Sequence, residues 1–159
     1  MARAHNYWFK QTQNDLRFIT KSFRGMTITR DHEIAMYLAM LQYRKHRLIL
    51  KFRGRRHNPS YKPNTKAYNA RKASQGFGIT QLVRTGRARD TIVGNATITR
   101  GKVPQLRTKA PFYMGRKPGA QIAEGRDWLS LNSRDRRFVM RQYKKYLARA
   151  RKRTRAKNK

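Results

Sequence analysis

The sequence predicts an α+β fold: a small antiparallel sheet packed by a long helix in the N-terminal half and by a C-terminal helix. Apolar residues recur at helical spacing over 34–52 and again over 139–147. Between these runs lie short pieces rich in Thr, Ile and Val, punctuated by Gly86, Gly94, Gly101 and Pro104. No crossover helix separates the pieces, so antiparallel pairing is the economical arrangement.

Taken in order, residues 1–26 are aromatic and mixed. Phe9, Thr12, Leu16, Ile19 and Phe23 recur at helical spacing, while 16–19 also alternates weakly as a strand would, so both conformations stay open for this block. The next helix has a clearer start. Thr29 can cap it, and Asp31 and Glu33 fall in the first turn, where the helix dipole favours negative charge. Ile34, Leu38, Leu41, Leu48 and Phe52, with Tyr37, are its expected apolar face. Arg44, Lys45, Arg47 and Lys51 fill the far side, and Gly54 ends the pattern.

From 53 to 78 the chain turns basic and breaks at Pro59 and Pro63, with a short helix expected over 65–73 behind a Thr65 cap and a flexible link at 74–78. Strands are expected at 79–83, 90–93, 96–100 and 112–114. A last helix begins at Asn132 or Ser133, with Asp135 placed for a capping box and Val139, Tyr143, Tyr146 and Leu147 as its stripe. Residues 1–147 then form one α+β domain. Residues 148–159 hold seven basic residues and no acid, so a disordered tail is expected there.

Charge sets the function class. The chain has 159 residues, with 40 Lys and Arg against 7 Asp and Glu, giving a formal net charge of +33. Apolar residues are 38%, below the roughly 45–50% of an ordinary soluble domain, although seven Phe, eight Tyr and two Trp can build a core. Self-repulsion at this charge works against a compact isolated monomer, and a polyanionic partner relieves it. An independent enzyme for small metabolites is disfavoured. No apolar run approaches the roughly 20 residues of a membrane span, so no membrane partner is expected. The first residues, Met1-Ala2-Arg3-Ala4-His5, lack the apolar core of a secretory signal, and an intracellular origin is expected. Cysteine is absent, which removes disulfides, thiolate metal sites and cysteine nucleophiles.

No active site is expected. The acids are Asp15, Asp31, Glu33, Asp90, Glu124, Asp127 and Asp135. Three sit at helix starts, and Glu124 and Asp127 are placed to pair with Arg126, Arg134 or Arg136. Between Glu33 and Asp90 there are fourteen Lys and Arg and no carboxylate, so an acid–base pair would have to come from distant segments. His5, His32, His46 and His57 show no metal-ligand spacing. Gly76-Phe77-Gly78 lacks the rest of a phosphate loop. Neither catalytic residue, metal nor cofactor is expected.

The basic clusters are the candidate binding residues: Arg53, Arg55 and Arg56 in one segment, and Arg149, Arg151, Lys152, Arg153 and Arg155 in the tail. Arg suits bidentate phosphate contact, and neutralised phosphates release counterions, which gives strong, salt-sensitive, sequence-independent binding. Tyr61, Tyr68 and Phe77 lie between basic residues and could stack on bases, with core packing the better expectation. No zinc finger, helix-turn-helix or RNA-reading motif appears.

One pattern goes beyond composition. The segment Tyr61-Lys62-Pro63-Asn64-Thr65-Lys66 leads to Leu82-Val83-Arg84-Thr85-Gly86-Arg87-Ala88-Arg89-Asp90-Thr91-Ile92, and the chain closes with Trp128-Leu129-Ser130-Leu131-Asn132-Ser133 before the terminal helix. In order and content this resembles the virion morphogenesis and tail-completion proteins of tailed bacteriophages. Those proteins show a Leu-x-x-Thr-Gly-x-x-x-x-Ser-Ile strand entry and a Phe-Leu-x-Leu-Ser turn. The similarity covers residues 34–147. The family's Tyr-x-x-x-His-x-x-Gly segment is echoed by 111–119 without the His, and the charge and Arg-rich tail depart from the family pattern.

The resemblance implies a small α+β subunit without enzymatic activity. It would assemble as a homo-oligomeric ring between capsid and tail, at the neck, tail-completion or tail-terminator layer of the virion. Its partners would be the portal or adaptor and tail proteins, with its basic surface near the DNA. The competing reading is a ribosomal or other rRNA-binding structural protein, located on the ribosome, which the charge, the length, the 53–56 segment and the tail all fit. A genome-condensing protein is a third reading, and an enzyme comes last.

Overall fold

The computed structural model describes residues 6–10, 29–59, 61–78, 86–101, 103–111 and 129–157. Its elements are β1 (Asn6–Lys10), α1 (Arg30–His46), a 3-10 turn (Leu48–Phe52), α2 (Lys66–Ser74), α3 (Arg87–Gly94), β2 (Thr97–Ile98), β3 (Leu106–Pro111) and α4 (Ser133–Lys157). The chain is therefore α+β. The strands order as β1-β3-β2, and β2 and β3 run antiparallel with Thr97 opposite Arg107 and Ile98 opposite Leu106. Contacts divide the chain into two compact units of interleaved segments. One holds residues 1–9, 48–96 and 108–129, and the other 10–47, 97–107 and 130–159, so no linear boundary at residue 147 separates them.

The second unit is built on the helix pair α1–α4. Thr29 stands at the N-cap of α1 in an extended conformation as expected, yet its side chain makes no capping bond. Asp31 and Glu33 occupy the first turn and Arg44, Lys45 and His46 the last, which complements the dipole at both ends. The buried face is His32, Ala35, Met36, Ala39, Met40 and Tyr43 in place of the expected Ile34, Tyr37, Leu38 and Leu41, while Leu48 and Phe52 are buried as expected but in the 3-10 turn, because α1 ends at His46. Ile34 is 44% exposed, and with Tyr37 and Leu38 it lines an open hollow together with Arg30, Glu33 and Arg100. Packing between helices explains the reversal. Ala35 and Ala39 are fully buried, and their small side chains let α4 approach where branched residues would hold it away.

On the facing helix, Val139 and Tyr143 fill the seam. His32 Nδ1 and Tyr143 OH form a buried hydrogen bond of 2.7 Å, with the two rings 6.2 Å apart. The pair runs antiparallel. Arg47, just beyond the end of α1, meets Asp135 at the start of α4 at 3.2 Å, and Thr154 Oγ1 near the end of α4 donates to Asp31 at 3.4 Å.

Burial pushes the Tyr143 phenol up to about 12, against the pull of Arg151, from an ordinary value of 10.0. A raised phenol favours the folded state below pH 10 and loses that contribution as pH climbs toward 12. Thermal midpoints should accordingly fall more steeply between pH 10 and 12 in the native protein than in Tyr143→Phe. Parallel slopes would mean that Tyr143 ionises no differently on unfolding.

In the first unit, α2 starts as expected, with Thr65 Oγ1 accepting from the Tyr68 amide at 3.2 Å. In place of the flexible link expected at 74–78, Gly76, at φ 72°, closes α2: its own amide reaches Ala73 O at 2.9 Å and the Phe77 amide reaches Lys72 O at 2.9 Å. The strand expected at 90–93 is helix α3. Gly86 adopts φ 82° at its N-cap, a conformation glycine accepts without a Cβ penalty, and Ala88 and Ile92, one turn apart, are buried together. Thr108 Oγ1 donates to Ile92 O at 2.6 Å, fixing the end of this helix to β3. The segment from Gly86 to Ile92 thus enters a helix here, where the expected strand entry would place a strand.

The piece at 96–100 contains β2 as expected, whereas β3 was not anticipated. Phe9 belongs to β1, which sets aside the helix reading at that residue. The rest of that helix, the alternative strand at 16–19, and the strands at 79–83 and 112–114 lie outside the described residues.

The expected disordered tail is also corrected. α4 continues through the basic segment to Lys157. That segment has Ala, Arg and Lys, all good helix formers, and no Gly or Pro, while its cations sit at the C-terminal end of the dipole.

Candidate nucleic-acid interface

α4 spans 25 residues, about 37 Å at 1.5 Å per residue. A reciprocal capping box sets its start. Asn132 Oδ1 accepts from the Asp135 amide at 2.9 Å, and Asp135 Oδ2 accepts from the Asn132 amide at 3.3 Å. Asp135, 2% exposed, is the helix's one acid. At about 100° per residue, Asp135, Val139, Tyr143, Leu147, Ala150 and Thr154 share the side that packs on α1. On the opposite side stand Arg134, Arg137, Arg141, Lys144, Lys145, Lys152 and Arg155, every one exposed. This basic stripe contains no carboxylate and runs about 31 Å from first to last residue.

The tail residues chosen from the sequence are all exposed, but they divide around the helix. Lys152 and Arg155 belong to the stripe. Arg149 and Arg151 flank it, Arg153 stands five full turns beyond Asp135 and so on that residue's side of the helix, and the Arg149 guanidinium lies over the Tyr146 ring at 5.9 Å. Sequence reasoning missed Arg134, Arg137, Arg141, Lys144 and Lys145. Helical periodicity applied to the cations, and not only to the apolar residues, finds them.

Arg53, Arg55 and Arg56 lie in the other unit and are also exposed. Their turn is held from inside. Gly54 takes φ 69°, and the buried Asn58 donates through Nδ2 to Leu50 O at 2.8 Å and Gly54 O at 3.3 Å. Of the aromatics considered for stacking, Tyr61 is core at 3% exposed. Tyr68 is 44% exposed with Lys72 Nζ 5.7 Å from its ring centre, and Phe77 is half-buried.

The described acids have structural positions. Asp31 and Glu33 open α1, and Asp135 opens α4 and pairs with Arg47. Asp90 accepts from Arg89 Nε at 2.7 Å, and that hydrogen bond holds its carboxyl below the usual range against the opposing effect of desolvation. Glu124 and Asp127, with the pairing expected of them, lie outside the described residues. Among the described residues no three His, Asp or Glu come together as metal ligands, and no helix is long and apolar enough to cross a membrane. What the surface offers chemically is phosphate contact: fixed cations on a rigid rod, with Arg able to bond two oxygens at once.

No protein-family model, curated protein or solved structure matches this chain.

Proposed function

We propose that the protein is a non-enzymatic structural subunit of a phage virion, forming a ring at the head–tail junction with its basic surface along the genome. The observation that carries the nucleic-acid part is the acid-free stripe on the outer side of α4. Cations at this density repel one another along one side of the helix, and a phosphate backbone supplies counter-charge without reading sequence, as a surface past which DNA must slide requires. The virion setting draws on the ordered motifs from Tyr61 to Ser133. The turn before the last helix keeps that order here, with buried Leu131 followed at once by the capping box.

The ribosomal reading draws on the Arg53–Arg56 turn and the basic C-terminus. In that case the tail would order on RNA, whereas Thr154 already bonds Asp31 within the protein. Quantitative mass spectrometry of density-purified virions and of ribosomes from the same cells tests the choice. A few to about a dozen copies per virion, the range of closed rings, is the expected result. One copy per ribosome would overturn it, and hundreds per virion would point to decoration or genome condensation.

A further inference from the structure

We infer that the α4 stripe takes double-stranded B-form DNA, in preference to single strands or duplex RNA. This rests on the proposed function and names the ligand of that site. Proteins that hold single strands combine a basic groove with aromatic rings on which bases stack. All three aromatic residues of α4 have partners within the chain, and none is fully exposed. Tyr143 is 2% exposed and bonded to His32, the Phe138 ring has Arg47 over it at 5.8 Å, and the Tyr146 ring has Arg149 over it at 5.9 Å. The stripe can therefore reach phosphates and offers no stacking platform.

Shape favours the B-form. An α-helix with its side chains is about 10–12 Å across, which the roughly 12 Å major groove of B-DNA admits, while the A-form groove is deep and narrow. The stripe's cations spread over about 100° of the helix circumference, so their side chains can reach phosphates on both walls of a groove about 12 Å wide. Packing on α1 covers one side of α4 and leaves the basic side exposed. The duplex also has the higher charge density, with one phosphate charge per about 1.7 Å of axis, so more counterions leave for each cation placed.

The test is anisotropy titration of the full chain with a 20-base-pair DNA duplex, the single strand of equal length and the matching RNA duplex, over a range of salt. DNA duplex should bind at least about tenfold more tightly than either, with the steepest salt dependence. The variant Arg137→Gln/Arg141→Gln/Lys145→Gln should lose about 10- to 100-fold in duplex affinity and reduce the salt slope by about two to three. Far-UV circular dichroism verifies its helix, and Arg134→Gln/Lys144→Gln/Arg155→Gln serves as an independent second variant. Equal or tighter single-strand or RNA binding would overturn the duplex assignment while leaving nucleic-acid binding in place. Unchanged duplex affinity in both folded variants would overturn the site. Failure to bind any of the three would overturn the nucleic-acid reading itself.

Discussion

Removing residues 148–159 is expected to weaken duplex DNA binding by about two orders of magnitude near 0.15 M salt while the helix pair stays folded. The deleted segment holds seven of the 40 basic residues and no acid. Each phosphate contact contributes about 0.9 to the salt slope, so losing three contacts at this salt costs about a hundredfold. Two of the lost residues, Lys152 and Arg155, stand on the stripe, and Arg149 and Arg151 flank it.

Folding is less exposed to the cut. The central seam of Ala35, Met36, Ala39, Met40 and Tyr43 against Val139 and Tyr143 lies wholly before residue 148 and is 0–2% exposed. What goes is half-buried Ala150 and the exposed Thr154–Asp31 bond of 3.4 Å, together worth no more than about 1–2 kcal/mol. Titration across salt, with a urea melt of the same variant, measures both effects. Affinity within threefold of the intact chain would assign binding to the stripe before residue 148 or to the Arg53–Arg56 turn. Ring assembly should survive the cut, and its loss would count against the neck reading.

Local chemistry was the legible part of this sequence. Thr65 and the Asn132–Asp135 box act within four residues of chain, so these two helix starts follow from residue type and spacing, whereas Thr29 marks the start of α1 without a side-chain capping bond. Choices that depend on a partner element were not legible. On α1 the more apolar stripe, Ile34, Tyr37 and Leu38, faces away from α4, because the seam selects alanine and methionine that permit close approach. Asp90–Thr91–Ile92–Val93 has strand-forming residue types, yet Ala88 and Ile92 sit one turn apart over a shared core and Gly86 starts a helix. β3 hides its alternation because Thr108, a polar residue, takes a buried position and bonds Ile92 O.

The candidate site divides in the same way. Exposure of the eight chosen basic residues follows from their charge. Their arrangement into a stripe depends on α4 being one continuous helix, which composition alone had read as a domain followed by a disordered tail.

Asp135 is the residue on which α4 depends most, and Asp135→Ala should destabilise the protein by about 2–4 kcal/mol. Two losses combine. The cap contributes about 1 kcal/mol, since Asn132 loses the acceptor for its amide. The ion pair adds more, because Asp135 is 2% exposed and the Arg47 side chain 21%, so Arg47 would be left half-desolvated beside the helix start. Phe138, whose ring lies under the Arg47 guanidinium at 5.8 Å, would lose its cover as well.

For a chain of this size each kcal/mol moves the melting midpoint by about 2–4 °C, so a fall of about 5–15 °C is expected. Arg47→Gln keeps the capping box but leaves the buried Asp135 without this cation, and should cost at least half as much, while Asp135→Asn keeps an acceptor for the cap and should cost less than Asp135→Ala. A double-mutant cycle on Asp135 and Arg47 isolates the pair, and a coupling below about 0.5 kcal/mol would place the whole effect in the cap. Binding supplies the functional arm. Because Asp135 lies on the α1 side of α4 and the stripe on the other, Asp135→Ala should bind duplex DNA normally well below its melting midpoint and lose affinity only as α4 frays. Weakened binding in a fully folded Asp135→Ala protein would show that the cap region contacts the DNA directly.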